Sequence, residues 1–491
     1  MAGQVAEGSP VGDGLAARLA ARVEARVEAP RRLVMRAVAL AVDVDRVAIR
    51  GKRFLVIGGD DAVRARLGGC GVVVVEDGPF DGVLDLSPLT DVDGDPLIRA
   101  FPRYQELLRD GLGWFVAVAP VERGAGLRGF FRTVAREYPS MLTRVVNVDD
   151  VDPINIDDII DELTAATSVP VVLRTGEGRF GLEAVETPLG GLAAARGAGP
   201  AGVGSAEAEV LGLDRDSVVL LVGGGRGITA RFAGLLASTA RPHLHLAGRT
   251  ALPDGPEDPA TAGVTDLVAL RGAVIASGVR RPAEVERVVG TILAQREVVA
   301  TLAEVRELGA TAEYHCVDAL DADAMGRLVK EVHAEHGRLD LVVHAAGVIA
   351  DKLIADKDPA VFARVYETKV GGARALLGAA GDLPSVPAAV LFGSIAGALG
   401  NRGQADYAAA NDALETVGGQ WARRTGARAL TVHWGPWAAG GRHGGMVTEA
   451  LMREYARRGV ALIDPEEGML ALLRELAWGT DNAVLYTASG W

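Results

Sequence analysis

The chain has 491 residues, of which 49% are hydrophobic and 23% charged, which excludes a wholly disordered protein and allows about two or three cores. Its net charge of −13 argues against a nucleic-acid partner, because an acidic surface repels phosphate groups. Cys70 and Cys316 lack the spacing of a disulfide framework or a zinc site, so we expect no metal. No apolar run reaches the roughly 18 to 20 residues of a membrane span, and the N-terminus lacks the order of a signal peptide. We therefore expect a cytoplasmic protein without a membrane partner.

Residues 1–50 are predicted to be a polar tail followed by a helical lead-in. Over 51–185, short apolar runs alternate with helix-like segments, and this alternation indicates a parallel sheet with helices on both faces. The runs are FLVIGG (54–59), VVVVED (72–77), GVLDLS (82–87), WFVAVAP (114–120), RVVNVD (144–149) and VPVVLR (169–174). Residues 186–209 are rich in Gly and Ala and predict a linker.

The alternation starts again in 210–491, where seven runs predict a complete doubly wound sheet. They are SVVLLVGG (217–224), HLHLAG (243–248), TAEYHCVD (311–318), LDLVVHAAG (339–347), AAVLFGS (388–394), RALTVHWG (428–435) and NAVLYT (482–487). The chain is therefore predicted to be an α/β protein with two related, Rossmann-like halves. An insertion between the second and third runs contains apolar residues at helical spacing over 282–310, which we interpret as a packing helix.

A glycine-rich turn follows the first strand of the second half. A glycine turn with Gly223, Gly225 and Gly227 follows the apolar run from Val218 to Leu221 and precedes a helix-like segment. Arg226 and Ile228 belong to the same turn. This order suits a dinucleotide, because glycines let the backbone approach the pyrophosphate and the helix N-terminus offers free N–H groups. A glycine turn alone is a weak signal, but its place in the first βαβ unit strengthens it.

The end of the next strand carries the residue that would select the cofactor. Arg249 offers a guanidinium for a 2′-phosphate, with Arg226 as a possible helper, and no Asp or Glu lies between His243 and Thr250 to hold two ribose hydroxyls. NADPH is therefore predicted rather than NADH. The alternative is that Arg249 is an ordinary solvated arginine.

Four later residues form a candidate catalytic set. Tyr407 and Asn411 are four positions apart and share one helix face. Ser394 ends a strand, and Lys369 lies on the helix before that strand. Hydride addition to a ketone needs an acid for the developing alkoxide, and a phenol next to an ammonium group meets that need. Each of these residue types is usually structural when it occurs singly, but together and in this order they favour catalysis.

From Val218 onward the chain resembles the short-chain dehydrogenases/reductases, and specifically the ketoreductase domains of polyketide synthases. The resemblance is carried by Lys369, Ser394, Tyr407 and Asn411 and by the segments HAAG (344–347), FGSIAG (392–397), YAAANDALE (407–415) and WGPWAAGG (434–441). The exchanged places of Lys and Asn relative to ordinary short-chain dehydrogenases are typical of ketoreductases. The insertion, the GGGRGIT turn and GVIADKLIADK (347–357) further resemble ketoreductases of iterative enediyne and polyunsaturated fatty acid synthases.

The resemblance implies NADPH-dependent reduction of a β-ketoacyl thioester on an acyl carrier protein, with other synthase domains as partners. Tyr407 would donate the proton, Ser394 would bind the same oxygen, Lys369 would lower the phenol pKa and hold the nicotinamide ribose, and Asn411 would order a relay water. Asp351 is the only residue kept from the Leu-Asp-Asp turn that marks B-type stereochemistry. After WGPW, glycine pairs precede a predicted helix with Val447, Leu451 and Tyr455 at four-residue spacing, which we interpret as a lid over the substrate with Met446 acting in stereocontrol. The alternative is an ordinary surface helix. The implied cofactor contacts are Gly223, Gly225, Arg226, Gly227, Ile228, Arg249, Thr250, Asp318, Ala345, Ala346, Gly347, Lys369, Tyr407 and Pro436.

The resemblance also implies that the first half is a truncated, cofactor-free structural subdomain. The residues point the same way, because Asp60 and Asp61 stand where a phosphate turn would follow FLVIGG. Two carboxylates at a helix N-terminus satisfy its amides and repel a pyrophosphate. Two other hypotheses stay open: a catalytically inactive ketoreductase-like scaffold, and a free-standing alcohol dehydrogenase, for which the first half would be superfluous.

Overall fold

The computed structural model describes residues 25–90, 95–149, 155–190, 198–199, 202–438 and 449–490. Within these ranges, no helix combines the length and the apolar character that crossing a membrane requires.

Strands and helices alternate through most of the chain. The strands are β1 Val27–Glu28, β2 Arg31–Ala39, β3 Arg53–Ile57, β4 Val73–Val75, β5 Gly82–Asp85, β6 Trp114–Pro120, β7 Leu142–Val148, β8 Val171–Thr175, β9 Gly178–Glu186, β10 Ala198–Gly199, β11 Gly202–Val203, β12 Val218–Val222, β13 His243–Gly248, β14 Thr311–Cys316, β15 Leu341–His344, β16 Ala388–Ser394, β17 Arg428–Trp434, β18 Leu462–Ile463 and β19 Ala483–Thr487. The helices are α1 Asp61–Gly69, α2 Pro96–Leu107, α3 Leu127–Glu137, α4 Ile156–Thr164, α5 Ser205–Val210, α6 Gly227–Thr239, α7 Leu267–Ala276, α8 Pro282–Glu307, α9 Ala322–His336, α10 Pro359–Gly381, α11 Ile395–Leu399, α12 Ala405–Thr425, α13 Glu449–Arg457 and α14 Pro465–Trp478.

One sheet of 15 strands runs through both halves, in the order β14-β13-β12-β15-β16-β17-β19-β2-β9-β8-β7-β6-β5-β3-β4. The strands from β14 to β19 are parallel to one another, and so are those from β8 to β4. The predicted α/β fold is confirmed, and each of the thirteen predicted runs contains a strand. The second half has the doubly wound order that places the carboxyl ends of its strands along one crevice.

Two antiparallel strands join the halves, and one of them corrects the sequence analysis. The prediction of a helical lead-in is wrong for 31–39, because this segment is the strand β2, which pairs with both β19 and β9. Alternate residues are buried on opposite faces, with Val34 in one core and Leu33 and Met35 against another. The predicted linker over 186–209 includes the last residue of β9 and most of α5, and the domain boundaries stay a prediction.

The helix that carries Tyr407 and Asn411, α12, packs against α3 of the first half. A Cβ on Gly129 would clash with the carbonyl oxygen of Ala408, so only glycine permits this approach of the two helices. Arg128 Nε lies 3.0 Å from a carboxylate oxygen of Asp412, and both side chains are largely buried. The first half therefore fixes the position of α12.

The insertion in the second half forms α7 and α8. Pro282 opens α8 at a position where its missing N–H costs no hydrogen bond, as predicted. Val285 and Val289 pack against α7 in a small separate core, whereas Val298 and Leu302 join the core around α6. The helix predicted over 282–310 is confirmed, and it lies across the end of the sheet where the glycine turn is found.

Candidate active site

A cleft of about 1190 Å³ opens at the carboxyl ends of the strands in the second half. Most of the predicted site residues line it. They are Gly223, Gly225, Arg226, Gly227, Ile228, Arg249, Thr250, Asp318, Ala345, Ala346, Gly347, Asp351, Lys369, Ser394, Tyr407 and Pro436. Asn411 lies behind the cleft on α12, and Met446 lies outside the described residues.

The glycine turn connects β12 to α6 as the sequence predicts. Gly223 has a φ of 88°, and a Cβ there would lie 3.0 Å from the amide nitrogen of Ala346 on the neighbouring loop. Only glycine therefore fits at this point. The helix begins at Gly227, and its N-cap residue Arg226 makes no capping hydrogen bond with its side chain.

A carboxylate from the insertion caps this helix instead. Glu297 on α8 accepts a hydrogen bond from the amide of Gly227 at 2.8 Å and another from Arg226 Nε at 2.8 Å. The sequence analysis missed this residue, because α8 was interpreted as a packing helix. Glu297 thus occupies the helix N-terminus at which a pyrophosphate would bind.

The far end of the cleft is basic. Arg249 follows β13, its side chain is exposed, and no carboxylate of the described residues pairs with it. Gln295 on α8 donates a hydrogen bond to the carbonyl oxygen of Ala251 at 2.7 Å, so the insertion covers the loop that carries Arg249. Asp318 lies just beyond β14, where its carboxylate accepts from the amide of Leu320.

Lys369 is buried on α10 and not a surface lysine. Its Nζ donates to the carbonyl oxygen of Phe392 at 2.8 Å and lies 6.0 Å from the centre of the Tyr407 ring. Burial lowers its pKa to about 8, since the protein interior disfavours the ammonium form. Ser394 is half-buried at the end of β16, with its Oγ accepting from the amide of Ala396.

The Tyr407 phenol differs from the expectation that a neighbouring ammonium lowers its pKa. Burial raises the pKa of Tyr407 to about 12, although the nearby side chains of Ser394 and Asn411 act in the opposite direction. Lys369 directs its Nζ to a carbonyl oxygen, so its charge does not outweigh burial in this arrangement. The phenol is therefore protonated at neutral pH, the state that a proton donor requires.

Asn411 lies one turn after Tyr407 and is fully buried. Its Nδ2 donates to the backbone carbonyl oxygen of Tyr407 at 2.7 Å. Its Oδ1 has no hydrogen-bond partner among the described residues. A buried amide oxygen without a partner leaves an acceptor available for a water molecule.

Three further residues, which the sequence analysis missed, position Tyr407 and Asp351. Lys357 forms a buried ion pair with Asp406, at 2.7 Å, and also donates to the carbonyl oxygen of Ala350. Gln404 donates to both carboxylate oxygens of Asp351 at 3.1 Å. These contacts tie the loop before Lys357 to the start of α12. These three residues are recognised only by their tertiary contacts, which the spacing and periodicity of the sequence do not show.

The first half also reaches this loop. Glu137, at the end of α3, accepts hydrogen bonds from the amides of Ile354 and Gly403 at 2.8 and 2.9 Å. Tyr455 of α13 is also part of the cleft lining, and the charge of Asp351 acts on it. The segment after WGPW contains the helix α13, Glu449–Arg457, and Tyr455 and Tyr407 line the same cleft; a lid role for this helix stays a prediction.

Residues 217–439 match the family model of the KR domain. The chain is 33% identical over 283 residues to one of the subunits of the polyunsaturated fatty acid synthase of Thraustochytrium sp., a match that covers 55% of this chain and 10% of that protein. It is also 33% identical over 218 residues to the polyketide synthase GfsB of Streptomyces halstedii, covering 44% of this chain and 4% of that protein. The chain therefore spans a tenth or less of these relatives.

Solved structures with the same fold include a ketoreductase from the first module of phoslactomycin biosynthesis in Streptomyces sp. HK803. It superposes with a TM-score of 0.66 at 23% identity and covers 94% of both chains. An A-type ketoreductase from a modular polyketide synthase gives a TM-score of 0.69 at 23% identity, covering 94% of this chain and 93% of that one. The family model, the relatives and the solved structures agree: residues 217–439 of this chain match the KR domain model, and the chain has the fold of polyketide synthase ketoreductases.

Proposed function

We propose that this chain reduces a β-ketoacyl thioester on an acyl carrier protein to the β-hydroxyacyl thioester, with NADPH, in polyketide or polyunsaturated fatty acid synthesis. KR domains are oxidoreductases that use a nicotinamide cofactor. The observation that carries the proposal is that Lys369, Ser394 and Tyr407 line one cleft that begins at the glycine turn.

The residues of the cleft fit a phosphorylated nicotinamide dinucleotide. The turn around Gly223 leaves no space for a Cβ, and α6 begins at the cleft, where a pyrophosphate would replace Glu297 at the amide of Gly227. Arg249 offers an unpaired guanidinium for a 2′-phosphate, and Asp318 and Pro436 would contact the two ends of the cofactor. When bound, NADPH supplies the hydride.

Proton transfer falls to Tyr407. Its phenol is protonated at neutral pH, so it can donate to the oxygen of the ketone as that oxygen gains negative charge. Ser394 would bind the same oxygen through its hydroxyl. Lys369 would hold the ribose hydroxyls next to the nicotinamide, and the free Oδ1 of Asn411 would hold the water that returns a proton to the phenol.

The substrate would enter on the side of the cleft where Asp351 and Tyr455 lie. We propose Asp351 and Met446 as residues that select the ketone face, with the configuration made by B-type ketoreductases. Residues 51–185 would act as a scaffold, since Glu137 and Arg128 hold the loop and the helix that position Tyr407. The relatives are multidomain synthase proteins, which supports other synthase domains as partners.

The decisive experiment mixes the purified chain with NADPH and a β-ketoacyl thioester on an acyl carrier protein and follows the absorbance of the reduced nicotinamide. We expect the absorbance to fall only with the carrier-bound substrate, while the Tyr407→Phe protein serves as the blank. An unchanged absorbance with an intact, cofactor-binding protein would instead support an inactive scaffold. Turnover of small alcohols without any carrier-bound activity would support a free-standing dehydrogenase.

A further inference from the structure

Four of the eight histidines of the chain lie together in the second half, away from the cleft. His243 and His245 are on β13, His315 is on β14 and His336 ends α9. Parallel strands of a doubly wound sheet usually carry apolar side chains beneath their helices. Imidazoles at these positions therefore call for a specific explanation.

His245 lies at the centre of the group and is only 2% exposed. Its Nδ1 is 3.0 Å from Nε2 of His315, and its Nε2 is 2.9 Å from Nε2 of His336. His243 is turned toward Thr311, with 2.8 Å between its Nδ1 and the threonine Oγ1. Both ring nitrogens of His245 thus face other imidazoles, while His243 has a partner of its own.

A carboxylate completes the set on the same face of the sheet. Glu313 is the register partner of His245 on β14, and His315 follows two positions later. Residues two apart on a strand share a face. The side-chain donor atoms of His245, Glu313 and His315 all lie within 4.8 Å of one another. Glu313 is exposed, so the group opens to solvent along the edge strand of the sheet.

We propose that Nδ1 of His245, Nε2 of His315 and a carboxylate oxygen of Glu313 bind one divalent transition-metal ion of the Zn²⁺ class. Imidazole and carboxylate are ligands that suit such an ion, and water would complete the coordination. Two nitrogens, each about 2.0 to 2.1 Å from a tetrahedral zinc ion, lie roughly 3.3 Å apart. The two nitrogens now face each other at 3.0 Å, so both rings would turn to direct their lone pairs at a common ion.

The contact with His336 sets the tautomer that this site needs. An N···N contact requires one N–H and one lone pair. When His245 donates its Nε2–H to His336, its Nδ1 keeps the lone pair and faces His315. Without metal, that lone pair accepts from the Nε2–H of His315. Metal binding replaces this hydrogen bond, and His315 then carries its proton on Nδ1 by exchange with water. His336 is thus the outer partner that orients a ligand histidine.

A second group, His245 with Glu335 and His336, has equally close donor atoms. It would use Nε2 of His245 and thereby remove the partner that fixes the tautomer. Glu335 and His336 are also consecutive residues on a helix and point about 100° apart around its axis. The ligands on the two paired strands are held by backbone hydrogen bonds at a fixed register, which favours the first group.

The site is tested by metal binding, independently of any reductase activity. The full chain, without an affinity tag and after chelator treatment, is titrated with Co²⁺ while visible absorption is recorded, and Zn²⁺ is added to displace it. We expect one saturable ion per chain. His315→Gln and Glu313→Gln should weaken binding by at least about tenfold, and His336→Gln by roughly 10- to 100-fold. These positions lie at the edge strand or helix end, so their metal-free melting curves should match that of the wild type.

His333→Gln is the matched control, because His333 lies on the same helix but belongs to neither group. It should bind Co²⁺ as the wild type does. Three results would overturn the proposal: no saturable site in the wild type, unchanged affinity in both His315→Gln and Glu313→Gln, or loss of binding in Glu335→Gln with normal binding in Glu313→Gln.

Discussion

Both halves of the chain contain a strand, a glycine turn and a helix, and in both a carboxylate caps the helix. In the first half the cap is Asp60, which accepts from the amide of Val63 at 2.9 Å, three residues away. In the second half it is Glu297, which reaches Gly227 from a helix 70 positions later in the chain. The same anion-binding geometry is thus occupied by a local residue in one half and by a distant one in the other.

This contrast supports the proposal that only the second half binds a cofactor. Asp60 is fixed by its own backbone next to the amide of Val63 that it caps, so its carboxylate stays at the helix N-terminus. Glu297 needs only to rotate its side chain to free the N–H group of Gly227. A pyrophosphate can then take its place, with Arg226 released as a further cation.

The largest expected difference between the halves comes from removing one tyrosine hydroxyl in each, because only the hydroxyl in the second half should affect catalysis. Tyr407→Phe removes the acid and should lower kcat about 10²- to 10⁴-fold, with NADPH binding nearly unchanged. Tyr104→Phe removes a buried phenol of the first half, whose Oη donates to Asp85 at 2.7 Å. It should leave kcat intact and lower the free energy of unfolding by about 1 kcal/mol. Steady-state kinetics and urea melts measure both. A Tyr407→Phe protein with more than about a tenth of normal turnover would exclude Tyr407 as the acid.

Arg249→Ala tests whether this residue of the second half determines the preference for NADPH over NADH. A charge-assisted contact to a 2′-phosphate contributes about 1.5 to 3 kcal/mol, so the ratio of kcat/KM with NADPH to that with NADH should fall about 10- to 150-fold. Arg280→Ala removes the same charge from an exposed position near the start of the insertion helix and should leave the ratio unchanged. Equal efficiencies of the wild type with the two cofactors would contradict the assignment.

The pH dependence of cofactor binding tests Lys369. Burial lowers its pKa to about 8, so the ammonium form is present below pH 8 and is lost above it. If this charge holds the cofactor, the NADPH affinity of the wild type should fall by up to about tenfold between about pH 7 and 9. Fluorescence titration of Lys369→Met should give weaker binding with a flat profile over that range. A parallel decline in both proteins would show that another group titrates.

Substitutions of the two carboxylates that cap the helices should have the smallest effect on NADPH binding, but they compare the two halves directly. Glu297→Gln keeps the hydrogen bond but removes the competing charge, so NADPH should bind about 2- to 5-fold more tightly, equivalent to about 0.3 to 1 kcal/mol. Asp60→Ala in the first half should cost about 1 kcal/mol of folding stability and leave NADPH binding unchanged. Calorimetric titration of both variants and the wild type measures the affinities, and urea melts measure the stability. Weaker binding by Glu297→Gln would mean that the carboxylate supports the cofactor rather than competing with it.

Local patterns predicted much of this molecule. The parallel strands were predicted by their apolar runs, and Lys369, Ser394 and Tyr407 by their order along a doubly wound sheet. The misses depend on partners far away in the chain. The strand character of β2 comes from pairing with β19 and β9, and its own composition is compatible with a helix. The capping role of Glu297 depends on which face of α8 lies toward the glycine turn. The amphipathic pattern of the helix does not specify that face.

β2 lies between β9 and β19 in the sheet, so its two neighbouring strands are made at different times during translation. The ribosome makes β9 before it makes β19. The guanidinium of Arg32 therefore cannot pair with Glu475, 443 positions later, until nearly the whole chain has been made. Until then one edge of the strand presents unpaired N–H and C=O groups, which is the arrangement that invites pairing between nascent chains. Arg31, Arg32 and Arg36 lie along this strand. Positive charges at an open edge disfavour pairing with a like strand. We therefore expect these arginines, which form ion pairs in the folded sheet, to reduce strand pairing between incomplete chains.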